Sequence, residues 1–185
     1  MDRRGKPRFA DLMETLRSTT RHCEPHAKAS AEGLPAGFGR VDDVIVLLQP
    51  LRLGSAGEDE SALESALRQL AEKNFLTGTQ AIGEGGVWAA MMCGSAPHGF
   101  GFHAELTEGE GANAAEALFG ERGGRALVST RPKAHLPLAN FIERRGQFTA
   151  EAIGRVTAGD VRVQWMGEMV LEAPSLQLIS SAECA

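Results

Sequence analysis

The chain is short of cysteine, of long apolar runs and of surplus positive charge, and each shortage removes a class of answers. Three cysteines among 185 residues, at 23, 93 and 184, form an odd and widely spaced set with no CxxC pair. Such spacing fits free thiols in a reducing compartment better than a disulfide framework. No stretch approaches the roughly 20 apolar residues that cross a bilayer, and the start lacks the apolar centre of a secretory signal. We therefore expect a cytoplasmic protein with no membrane contact. The formal net charge of -5 argues against a nucleic-acid partner, because neutralising phosphates takes clustered Lys and Arg. Arg3, Arg4, Lys6 and Arg8 do gather at the start, but a short basic stretch reads as a solvated tail.

What is present is ordinary for a globular protein: 43% hydrophobic and 23% charged residues. The length suits one domain with an extension. Phe9, Leu12, Met13 and Leu16 recur at helical spacing, so residues 8–22 read as an amphipathic helix. EPHAKASAEGLPAGFG reads as a linker, with the compact part starting near Val41. DDVIVLLQ (42–49) reads as a buried strand. Residues 59–74 carry an apolar stripe from Ala62 to Ala71 and form the clearest helix, with Asp59 and Glu60 at its electropositive start.

VWAAMMC (87–93) reads as a buried helix, with Cys93 as a small core residue. Residues 99–106 alternate as a strand, a short helix fits 114–119, and 125–130 is another strand. A helix fits 134–145, with Pro137 tolerable only in its first turn. Short strands at 152–157, 161–165 and 168–172 complete an α+β order, a layered mixed sheet flanked by helices. No internal repeat is present.

The glycine cluster AIGEGGVWAA has two readings. Gly83, Glu84, Gly85 and Gly86 could bare the amides of a helix N-terminus for a phosphate or carboxylate. Alternatively they make a tight loop before a closely packed helix. The cluster is no GxxxxGK[ST] loop and follows no strand in the manner of a dinucleotide fingerprint. Other constellations are weaker. His22, Cys23 and His26 offer three zinc ligands without a clear fourth, and Ser129 with His135 lacks a GxSxG elbow. Glu121, Arg122 and Arg125 form either an anion-binding loop or a surface ion pair worth under about 1 kcal/mol.

Taken in order, VDDVIVLLQPLRLGS, TGTQAIGEGGVWAAMM, GFGFHAEL, ALFGERGGRALVST and AIGRVTAGDVRV resemble a known domain. Roughly residues 38–172 are similar to the C-terminal domain of the aminoimidazole ribonucleotide synthetase superfamily, nearest its phosphoribosylformylglycinamidine synthase branch. LRLGS (51–55) stands at that family's LGGS-like loop, and QAIGEGG (80–86) at its HDxS[DE]GG loop. LFGERGGRALVS matches LFxEsxxR with its strand, and residues 153–157 match IGxVT. Gln80 and Ala81 replace the His-Asp pair and Gly83 replaces the Ser, so the loop's glycines stay while its reactive side chains are gone.

The resemblance implies a division into residues 1–37 (helix and linker) and 38–185 (the synthetase-type C-terminal domain). It implies a ligand or phosphate site at Gly54, Ser55, Gly83, Glu84, Gly85, Gly86, Glu121 and Arg125, taking a nucleotide or other small phosphorylated ligand. In the family a separate N-terminal domain supplies much of the ATP and magnesium site, and residues 1–40 are too short to be one. ATP and Mg2+ are thus implied only where the chain pairs with such a domain, as an ATP-dependent ligase of purine biosynthesis. The other expectation is a degenerate, non-catalytic paralogue that works as a homodimer or partner-binding module.

Overall fold

The computed structural model describes residues 33–52 and 56–174. The segment 8–22, the His22, Cys23 and His26 trio, Gly54 and Ser55 lie outside them.

Seven strands form one mixed sheet. They are β1 (Val44–Pro50), β2 (Gly78–Ala81), β3 (Gly101–Leu106), β4 (Ala126–Thr130), β5 (Phe148–Thr157), β6 (Asp160–Trp165) and β7 (Glu168–Pro174). Their spatial order is β2-β4-β1-β5-β3-β6-β7. Only β3 and β6 pair in parallel; every other pairing in the sheet is antiparallel. The described helices are α1 (Ala56–Glu72), α2 (Gly86–Ser95), α3 (Ala114–Phe119) and α4 (Pro132–Glu143). This is the α+β layering that the order of apolar segments predicts.

The apolar run of β1 explains its central place. Ile45 and Leu47 face one core with Trp88, Met91, Phe102, Val156, Val163 and Leu171. Val46 and Leu48 face a second core with Leu63, Leu67 and Leu70 of α1 and Leu138 and Ile142 of α4. A strand buried on both faces reads as a continuous apolar run. The first core runs under α2 across the sheet to β7, whereas the second contains no residue of β3, β6 or β7. On that side, half of the sheet carries no helix from the described residues.

Several boundaries differ from expectation. Helix α1 starts three residues before residue 59 and stops at Glu72. Asn74 ends it in a left-handed conformation (φ 57°), with Phe75 N donating to Leu70 O and Asn74 N to Ala71 O. That hydrogen-bond pair is a Schellman closure. Helix α4 begins with Pro132 at its first turn, so Pro137 sits inside it rather than in the first turn. Pro137 and Lys133 are both exposed, where water can replace the hydrogen bond that proline removes.

The supposed linker is partly structural. Gly37 N donates to Thr79 O, Thr79 N to Pro35 O, and Phe38 is fully buried in the first core. The packed body therefore begins before Val41. Cys93 is half-buried while its neighbours on α2 are buried. Among the described residues no helix is long and apolar enough to cross a membrane.

Candidate functional site

The glycine cluster does follow a strand, contrary to the sequence reading. β2 pairs with β4 from Gly78 opposite Ser129 to Ala81 opposite Ala126. The chain then turns through residues 82–85 into α2. Gly85 caps that helix at φ 78° and Gly86 enters it at φ 66°, a region that residues bearing a Cβ seldom adopt. A Cβ on Gly86 would stand 2.7 Å from Leu118 O of α3. Backbone freedom and close approach to α3 both require glycine here.

Gly83 and Glu84 are exposed, while Gly85 and Gly86 are buried. Gly86 N donates to Gly83 O at 3.0 Å. Gly85 N donates to a carboxylate oxygen of Glu121 at 3.1 Å. The helix start already holds an anion, supplied by the chain itself, as the dipole at a helix N-terminus favours.

The loop that presents Glu121 is held at several points. Asn113 caps α3 by accepting from Glu116 N at 3.0 Å, and Glu116 reaches back to Ala112 N at 3.1 Å, much as in a capping box. The Ala112 amide, and after it Arg122 at 2.9 Å, hold the Glu116 carboxyl below its ordinary range. Arg125 is 3% exposed and donates to Gly120 O at 2.6 Å and Arg122 O at 3.2 Å. Its guanidinium thus ties the loop from behind. Burial, then Arg122, lowers its pKa, and Glu110 opposes them.

The structure therefore brings Gly83, Glu84, Gly85, Gly86 and Glu121 to one place, with Arg125 beneath the loop. The start of α1 is also near: a Cβ on Gly124 would stand 2.7 Å from Cβ of Asp59. Sequence reasoning missed Glu110. This carboxylate is 1% exposed; one oxygen accepts from Thr107 Oγ1 at 2.8 Å and the other accepts no hydrogen bond among the described residues. Burial, and then Glu110, raise the pKa of Glu151. Only the polar, glycine-rich stretch TEGEG (107–111), with two glutamates, marked the place in the sequence.

Ser129 and His135 are not a pair. Ser129 is fully buried, bonded to Thr77 Oγ1 at 3.0 Å, and Thr77 in turn donates to Asp43 at 2.6 Å. His135 lies on α4 beside an open groove. Among the described residues no three His, Cys, Asp or Glu side chains group as a metal site. The residues described do not fit Mg2+ unaided, since that ion takes oxygen ligands in near-ideal octahedral geometry.

No protein-family model matches the chain. The PurL subunit of phosphoribosylformylglycinamidine synthase from Salinibacter ruber is 30% identical over 128 residues, 69% of this chain and 17% of that protein. Thermotoga maritima PurL complexed with ATP superposes with a TM-score of 0.67 at 21% identity, over 79% of this chain and 27% of that one. The same protein complexed with FGAR gives a TM-score of 0.65 at 21% identity, over 79% and 29%. The hydrogenase maturation protein HypE of E. coli shares the fold more loosely, with a TM-score of 0.50 at 15% identity, over 73% and 49%. The chain spans under a third of the length of the PurL proteins it matches. Together with the strand order and the glycine loop, these likenesses support a PurL-related domain of the aminoimidazole ribonucleotide synthetase-like fold.

Proposed function

We propose that residues 38–185 act as the C-terminal domain of a split or multi-domain assembly of the purine synthetase type. The domain binds a nucleotide or other phosphorylated ligand at the glycine loop and is not catalytically complete alone. ATP and Mg2+ enter only with an N-terminal ATP-binding domain, and the complete assembly is an ATP-dependent ligase. The observation that carries this reading is the carboxylate of Glu121 on the amide of Gly85. A loop that holds one anion has the charge and amide direction to hold another. A phosphate entering there displaces Glu121 or extends past it toward the exposed Gly83 and Glu84, with Gly54 and Ser55 as further members of the site and Arg125 acting from behind the loop as its brace and counter-charge.

The same contact favours a second reading. If Glu121 is a permanent occupant, the loop is structural and the chain is a non-catalytic paralogue serving as a dimerisation or partner-binding module. Leu51, Leu136, Met166 and Met169 are large apolar side chains left exposed, material for such an interface.

Thermal unfolding with ATP, ADP and ribonucleotide phosphates separates the two, because a ligand of the native state raises its stability. The first reading expects a rise with at least one of these, and a change of about tenfold in affinity on Glu121→Ala. No rise with any of them, together with a dimer in sedimentation, selects the second.

A further inference from the structure

The half of the sheet that no helix of the described residues covers carries an unusual row of side chains. Register places Arg155 of β5 opposite His103 of β3, His103 opposite Arg162 of β6, and Arg162 opposite Glu172 of β7. Direct cross-strand neighbours share a face and stand about 5 Å apart. Three basic side chains are thus consecutive across three strands, an arrangement that costs energy when their charges are unmet. Two are answered: Asp160 pairs with His103, and Glu172 accepts from Arg162 at 2.9 Å. The side chain of Arg155 is exposed and makes no hydrogen bond or ion pair among the described residues.

The row lies in a groove of about 740 Å³ between this sheet face and the start of α4, a size that suits a small ligand. Two residues further along β3 and β6, about 6.7 Å away, Glu105 stands opposite Gln164 and both line the same groove. One end of the groove therefore offers the Arg155 guanidinium beside the paired His103 and Arg162, with the Asp42 carboxylate also in the lining; the other offers an acceptor and an amide suited to hydroxyls. None of these residues belongs to the glycine loop.

We propose that this groove binds a phosphomonoester of a small hydroxylated molecule. Arg155 takes the phosphate beside His103 and Arg162, and Glu105 and Gln164 take the hydroxyls. This site does not depend on the reading of the glycine loop.

Amide NMR of the full chain at constant ionic strength tests it, with glycerol 3-phosphate as probe and inorganic phosphate and glycerol as comparators. The expected result is saturable shifts around residues 103, 155 and 162 with glycerol 3-phosphate, weaker ones with phosphate and none with glycerol. Arg155→Ala should weaken binding at least tenfold, and Arg155→Gln repeats the test should the alanine variant fold poorly. No saturable shift, equal response to phosphate and its ester, or unchanged affinity in both variants overturns the proposal. So do shifts at these amides on raising protein concentration alone, which would mark a contact between copies.

Discussion

At the scale of single residues, buried polar groups fix how the segments close on one another. Asp43 is 2% exposed and ends a chain of hydroxyls: Thr77 donates to it, Ser129 bonds Thr77, and Gly39 N donates to Ser129 at 3.3 Å. Two other carboxyls contribute to how stability depends on pH. Burial and Glu110 raise the pKa of Glu151, so the folded chain holds that proton more readily than the unfolded one. Its contribution is present at low pH and is lost as pH rises through the raised pKa. Asp160, lowered mainly by its hydrogen bond to His103, has the opposite sign. Its contribution is present above the usual carboxylate range and is lost as pH falls below about 4. Glu151→Gln should therefore raise stability at pH 7 by about 0.5 kcal/mol, the scale of a partly exposed site, and flatten the slope on the alkaline side. Calorimetric Tm values from pH 4 to 8 check this, and an unchanged slope refutes it.

Among the elements, α3 shows how a short helix can govern a loop. Its six residues are too few to be stable by propensity. The Asn113 cap and the burial of Ala117 and Leu118 hold it. Asn113→Ala should cost about 1 kcal/mol, read as a lower urea midpoint, and should loosen the Gly85–Glu121 contact that follows from it. An unchanged midpoint would show that packing alone holds the helix. Helix α3 was legible because its cap and apolar residues are neighbours in the chain. Strand β2 was not: GTQA has no apolar alternation, and its state comes from pairing with β4 on one side and residues 35–37 on the other. Gly78 belongs there because a Cβ would stand 1.7 Å from Gly37 O. The end of α1 at Asn74 turned on a left-handed residue rather than on the apolar stripe.

For the molecule as a whole, unequal cover is the governing feature. Among the described residues, β1 and β4 lie between two cores, whereas β6 and β7 have only one. The free energy of a local opening grows with the buried apolar surface it exposes to water. Native-state hydrogen exchange should place Ile45, Val46 and Leu127 amides near the global unfolding free energy. Amides of β7 should exchange by local opening, at least tenfold faster. Equal protection across the sheet would show that something else covers the bare half. That half is also where Arg155, His103 and Arg162 lie, so the proposed groove sits where the described residues bury the least apolar surface.

The sequence by itself determined the α+β class, the two-faced burial of β1, the helices α1, α2 and α3, and the glycine loop at a helix start. These rest on periodicity and on residues close together in the chain. The tertiary structure alone decided that Glu121 sits on the Gly85 amide, 36 residues away, and that Arg125 braces the loop. It also decided that Arg155, His103 and Arg162 stand side by side. Such contacts depend on strand order and register, which bring distant segments together and which no local pattern encodes.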